Sequence, residues 1–234
     1  MQRTWSPSER LVVAVDTADI QHALALAGAV LPFCGMYKVG LEFFAAHGAA
    51  GVSAFTERPI CLDLKLHDIP NTVSRAVRAL LPLKPRVLTV HAAGGAGMVE
   101  AARRASETGS SDRPLLLAIT VLTSLTGADL SAMGMSDTPA TQALRLAQLA
   151  LKAGADGLVC SPLELAALRD AIGPEPLLLV PGIRPKGSSP SDQARFMTPR
   201  EAIDAGADWI VVGRPVTSHT DPAGAARTIL EQLR

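Results

Sequence analysis

The chain has 234 residues, 48% of them hydrophobic, which suits one large domain or two small ones. Lys plus Arg and Asp plus Glu stand at 22 each, with only two Trp, one Tyr and five Phe. Such a balance argues against a nucleic-acid surface, which wants a basic stripe and stacking rings. No apolar run reaches membrane-spanning length, and the opening residues Met1 to Pro7 show no signal-type apolar segment. A cytoplasmic protein is expected. Cys34, Cys61 and Cys160 fall in or beside strand-like runs, without Cys-x-x-Cys or metal-spaced histidines. They read as reduced, buried thiols.

Taken in order, short apolar runs alternate with longer Ala/Leu-rich segments. Residues 11–15 are β-branched and end at Asp16, and 19–30 carries helical spacing with Pro32 just beyond. A second strand is expected at 36–39, carrying Lys38 and ending at Gly40, followed by a helix over 42–50. The third strand opens the stretch 60–72, where Asp63 and Lys65 alternate with Leu62, Leu64 and Leu66. Residues two apart in a strand share a face, so Asp63 and Lys65 belong together opposite the leucines. Pro70 limits that strand and leaves Asp68 in the turn beyond it. A helix is expected over 73–81.

The same beat continues. Strand 87–90 ends at His91, followed by Ala92-Ala93-Gly94-Gly95 and a helix to about Ala105. Strand 115–121 ends near Thr123 and Ser124, and a Gly/Ser/Met connection leads to a helix over 141–152 with Gly154 at its stop. Strand 157–160 precedes helix 162–171, which has Pro in its first turn. Strand 177–180 runs into Pro181-Gly182-Ile183-Arg184, and 185–192 reads as a flexible surface loop. Helix 199–205, strand 208–212 ending at Gly213-Arg214-Pro215, and helix 222–233 close the chain. Eight strand–helix units in this length predict a single-domain (β/α)8 TIM barrel, with residues 1–10 as an extension. A doubly wound open sheet would advertise a Gly-rich turn after its first strand; Val15-Asp16-Thr17 offers none.

Barrels of this kind carry their active site at the carboxyl ends of the strands. Those ends supply Asp16, Lys38, Asp63, Lys65, His91, Thr123, Arg184 and Gly213-Arg214. A structural barrel needs no such crowd of charges. Two carboxylates about 4 Å apart repel by roughly 4 kcal/mol at an effective dielectric near 20. A functional site is the better reading. The loops after strands seven and eight commonly cradle a phosphate, and here they present Gly182, Arg184, Gly213 and Arg214. Glycine permits close backbone approach, and an arginine grips an oxyanion through two N–H groups. Asp16 and Lys38 suit ribose-like hydroxyls, one accepting and one donating. His91 reads as a structural residue beneath the rim.

These residues resemble the orotidine 5′-phosphate decarboxylase family over nearly the whole chain, from Val13-Ala14-Val15-Asp16 to Val212-Gly213-Arg214-Pro215. The most specific part is Asp63-Leu64-Lys65-Leu66-His67-Asp68-Ile69-Pro70-Asn71-Thr72. Tyr37-Lys38-Val39-Gly40, Val90-His91-Ala92-Ala93-Gly94-Gly95, Leu122-Thr123-Ser124, Pro181-Gly182-Ile183-Arg184 and Asp192-Gln193 support it in order and spacing. The resemblance implies decarboxylation of orotidine 5′-monophosphate to UMP in pyrimidine synthesis, without metal or organic cofactor. It implies Lys65 as proton donor to C6, and Asp63 beside the substrate carboxylate and holding Lys65. Asp68 would complete the partner's site in a homodimer. Asp16 and Lys38 would bind the ribose, Thr72 and Pro181 would line the site, and Thr123 and Ser124 would face ribose and base. Arg184, Gln193, Gly213 and Arg214 would hold the phosphate, with Gln193 on the closing loop.

Two rivals share features with this reading. Hexulose-phosphate synthase and ketogulonate-phosphate decarboxylase resemble the Asp-x-Lys-x-x-Asp pattern but stabilise an enediolate on Mg2+. Their metal-binding Glu ends strand two, where this chain has Lys38, and an ammonium cannot ligate a metal. A non-catalytic nucleotide-phosphate sensor would have no use for Lys65 between two acids.

Overall fold

A short helix, α1 (Pro7–Arg10), leads straight into β1 (Leu11–Ala14). The computed structural model describes residues 4–108, 112–185 and 196–233. Through these the elements follow as α2 (Ile20–Val30), β2 (Met36–Val39), α3 (Leu41–Val52), β3 (Ile60–Leu66), α4 (Pro70–Leu80) and β4 (Val87–His91). Next come α5 (Ala96–Ser106), β5 (Leu115–Ile119), α6 (Gly127–Ala132), α7 (Pro139–Lys152) and β6 (Gly157–Val159). The chain continues with α8 (Leu165–Ile172), β7 (Leu177–Val180), α9 (Pro199–Asp204), β8 (Trp209–Val212), α10 (Arg214–Thr217) and α11 (Pro222–Gln232). Each strand pairs in parallel with the next and β8 pairs with β1, closing a (β/α)8 barrel.

The apolar runs become strands because they are covered on both faces, by helices outside and by one another inside. Alternation within a strand sorts the two layers. Leu11 and Val13 join the core between barrel and helices, while Val12 joins a separate interior cluster with Met36, Cys61, Val87, Leu177 and Trp209. That interior cluster fills the barrel below its mouth, so the barrel is a packed body and not a pore. Trp5 lies tilted against Trp209, with ring centroids 5.4 Å apart and planes at 47°, and packs against the interior cluster. Trp5 therefore helps to close the floor, a role that composition does not reveal.

Helix starts follow the expected chemistry. Asp19 accepts N–H bonds from Gln21 and His22 at the head of α2, and Thr198 and Glu201 form a capping box on α9. Helix α4 begins three residues before the expected 73, because Pro70 sits at a first helical position where no N–H is missed. Helix α6 occupies the supposed connection; its Thr126–Asp129 capping box is the signal that marks it. Cys34, Cys61 and Cys160 are free and buried, and burial pushes the Cys34 thiol up to about 12. No helix among the described residues is long and apolar enough to cross a membrane.

Candidate active site

Strand β3 reaches the barrel mouth through an irregularity. Its partners on β4 are Leu88 for Leu62 and Val90 for Leu66, so Asp63, Leu64 and Lys65 together face Thr89 alone. Extra residues on one strand make a bulge that re-aims side chains. At its end Lys65 takes φ 49°, a left-handed conformation that is uncommon for a side-chain-bearing residue. The Lys65 N–H donates to the Thr89 hydroxyl at 2.9 Å, and that hydroxyl donates to Asp63 Oδ1 at 3.0 Å. Leu62 and Leu64 pack outward into the core, as the alternation predicts.

The other oxygen of Asp63 is shared. Lys65 Nζ lies 2.9 Å from Asp63 Oδ2, and Lys38 Nζ, arriving from β2, lies 3.0 Å from the same atom. The Asp63 side chain is only 10% exposed. Burial opposes its ionisation, but the Lys38 and Lys65 ammonium groups outweigh that and hold its carboxyl below the usual range. Burial likewise opposes the charge on Lys38, and Asp63, helped by Asp16, reverses the sign and raises it. The result is a charged triad of one carboxylate and two ammonium groups, with net positive charge at the floor of a cavity.

That cavity has a volume of about 240 Å³ and is lined by Lys38, Asp63, Lys65 and Thr123 on its polar side, with Pro181 beside them. Ile119, Val121, Leu122, Val159, Cys160, Leu179 and Val211 supply an apolar wall from β5 to β8 and the turns beyond β5 and β6. Five of the predicted site residues thus converge on one pocket. The wall escaped prediction, since β5, β7 and β8 are continuous apolar runs with no polar residue to mark which face is which.

Other predicted residues stand around the rim. Asp16 Oδ1 accepts the Phe43 N–H at 2.9 Å, capping the first turn of α3 from outside the helix. A Cβ on Gly40 would lie 2.2 Å from Asp16 Oδ2, so this close approach needs glycine. Thr72 is exposed in the first turn of α4, and Ser124 is exposed in the turn after β5. Asp68 is exposed, accepts the Ile69 N–H at 2.6 Å, and makes no ion pair among the described residues. Arg184 is buried to 7% exposure, and its N–H donates to Met197 O at 3.0 Å where Ile183 and Met197 form a parallel bridge. Gly213 precedes α10 and Arg214 is exposed at its first position. A Cβ at Gly213 would meet nothing closer than Ala14 Cβ at 3.8 Å. Gln193 and most of the 185–192 loop lie outside the described residues.

His91 accepts the Ala93 N–H through Nδ1 and stacks on His67, with centroids 5.1 Å apart and planes 15° from parallel. Burial, then His67 and Lys65, hold its pKa below the ordinary histidine value. Thr89 is the residue near the reacting groups that sequence reading missed. One threonine inside an apolar strand resembles any other until the neighbouring bulge is seen. No group of three or more His, Cys, Asp or Glu among the described residues is arranged to hold a metal ion.

A model of the orotidine 5′-phosphate decarboxylase / HUMPS family matches residues 9–229. The orotidine 5′-phosphate decarboxylase of Anaeromyxobacter sp. (strain K) is 54% identical over 229 residues, covering 97% of this chain and 99% of the relative. That of Gluconobacter oxydans (strain 621H) is 50% identical over 228 residues, covering 96% and 97%. The crystal structure of orotidine 5′-phosphate decarboxylase from Lactobacillus acidophilus superposes with a TM-score of 0.82 at 36% identity, covering 97% and 99% of the two chains.

Proposed function

This chain belongs to the orotidine 5′-phosphate decarboxylase family, and from that premise we propose how its own residues carry out the reaction. The reaction is decarboxylation of orotidine 5′-monophosphate to UMP in pyrimidine synthesis. Loss of CO2 from C6 leaves a carbanion that the ring delocalises poorly. The Lys65 ammonium meets that developing charge and then delivers a proton to the carbon. Asp63 holds Lys65 in place and lies beside the substrate carboxylate, whose repulsion is relieved as CO2 departs. The observation that carries this reading is the Lys38–Asp63–Lys65 triad, two ammonium groups on one buried carboxylate oxygen, opening into the cavity.

The rest of the substrate is divided among the rim residues. The apolar wall from Ile119 to Val211 accepts the faces of a pyrimidine, with Thr123 and Ser124 toward base and ribose. Asp16 and Lys38 bind ribose hydroxyls, and Thr72 and Pro181 line the site. Arg184, Gln193, Gly213 and Arg214 hold the phosphate. Gly213 supports that assignment, because protein packing leaves room for a side chain there and an approaching phosphate would use the space. Phosphate binding far from the breaking bond is best used to hold the reacting carbon against Lys65 and expel water.

Asp68 completes the partner's site in a homodimer. Its lack of an ion pair among the described residues and the 66% exposure of the adjoining Ile69 support a subunit-crossing role. The reading includes neither metal nor organic cofactor, and a cytoplasmic enzyme. The test is to follow the fall in orotidylate absorbance with purified, EDTA-treated protein. Turnover is expected; binding of UMP without turnover, or activity only on adding Mg2+, would overturn the proposal.

A further inference from the structure

Thr89 is fully buried, at 0% exposure, and stands opposite the three residues that β3 inserts between Leu62 and Leu66. Its hydroxyl has one hydrogen, and the hydrogen-bond directions follow from that. The Lys65 backbone N–H can only donate, so Thr89 Oγ1 accepts it at 2.9 Å. The hydroxyl hydrogen is left for Asp63 Oδ1 at 3.0 Å. One small side chain therefore secures the backbone of the lysine and the free oxygen of its counter-ion together. Asp63 Oδ2 is meanwhile taken by both ammonium groups.

The left-handed φ of 49° at Lys65 costs energy that something nearby must offset. A regular parallel ladder would pair the Lys65 N–H with a backbone carbonyl of β4; the bulge removes that partner. Thr89 replaces it. We propose that Thr89 is a positioning residue for decarboxylation, fixing the bulge that aims Lys65 and orienting the carboxylate that pairs with it. This rests on the reading of Lys65 as proton donor, and adds to it a residue on the neighbouring strand that never touches substrate.

The test compares Thr89→Val with Thr89→Ser. Valine preserves the shape but leaves the Lys65 N–H and Asp63 Oδ1 without their partner, whereas serine keeps both bonds. Displacing a reacting group by about 1 Å can cost about 100-fold, so Thr89→Val should lower kcat by about 10- to 100-fold with KM within about threefold. Thr89→Ser should stay within about threefold of the parent, the error allowed for a retained hydrogen bond in a slightly looser core. Losing a bond to the ionised carboxylate disfavours that form, so the acid limb of the kcat profile should move to higher pH in Thr89→Val only. Should Thr89→Val fail to fold, Thr89→Ala against Thr89→Ser makes the same comparison.

Equal kcat and equal acid limbs in the valine and parent proteins would overturn the inference, as would an equal loss in the serine variant. Failure of the underlying reading is distinguishable. Titration of the Lys65 amine by NMR in ligand-free protein reports its environment without turnover. A change in that titration with valine but not serine, in a parent that decarboxylates nothing, would sink the proposed chemistry and keep the positioning role.

Discussion

Lys38 Nζ lies 3.0 Å from Asp63 Oδ2, the same oxygen that Lys65 approaches to 2.9 Å, so strands β2 and β3 are joined at the barrel mouth by a single carboxylate. Asp63 is thus a counter-ion for two lysines and not one. Neither ammonium can be understood without the other. Its removal should be felt in the fold as well as in the chemistry.

Replacing Asp63 by Asn leaves Lys38, whose side chain is 14% exposed, without its buried counter-ion. Breaking a buried pair by deleting one partner costs about 3–5 kcal/mol, and partial exposure of Lys65 puts the value near the lower end. Urea unfolding at pH 7 should show that loss. The folded-state pKa of Asp63 lies below the ordinary carboxylate value. Its contribution is therefore fully present above that ordinary value and is lost as pH falls through the folded one. The gap between parent and Asp63→Asn should narrow in acid; a gap that widened there would contradict the pairing.

Lys65→Ala should remove both electrostatic stabilisation of the carbanion and its proton source. Each such contribution is worth about 10²–10⁴-fold, so kcat should fall by about 10⁴-fold or more. Folding should survive, since the side chain is 33% exposed and Lys38 still neutralises Asp63. Stopped assays with purified protein and a melting curve would check this together; a near-normal kcat would rule out the proton-donor role.

Arg214→Ala should act on binding of the phosphate more than on the chemical step. Losing a charged hydrogen-bond partner costs about 1.5–3 kcal/mol, or roughly 10- to 150-fold in kcat/KM. Because Arg214 is exposed at the start of α10, the melting temperature should barely move. Unchanged kcat/KM for orotidine 5′-monophosphate would place the phosphate elsewhere.

Mixing Lys65→Ala chains with Asp68→Ala chains should restore activity that neither has alone. A heterodimer contains one site with both defects and one with neither, if Asp68 serves the partner. Subunit exchange proven by mass labels, with no recovery of turnover, would show that Asp68 works within its own chain.

Much of the architecture could be read from local pattern. Eight β-branched or leucine-rich runs, separated by helices with Pro or capping residues at their starts, lead to a closed parallel barrel without knowledge of any contact. Asp63 faces inward because alternation is a local property of extended chain, and Leu62 and Leu64 follow the same rule on the opposite face, whereas the bulge sets the aim of Lys65. Other features depend on register between strands remote in sequence, which ring closure imposes. Lys38 meets Asp63 because β2 and β3 align Lys38 with Cys61. Thr89 meets Lys65 because β3 bulges against β4, and Trp5 finds Trp209 across almost the whole chain. Periodicity reports which way a side chain faces, whereas only closure of the ring decides which partner it finds there.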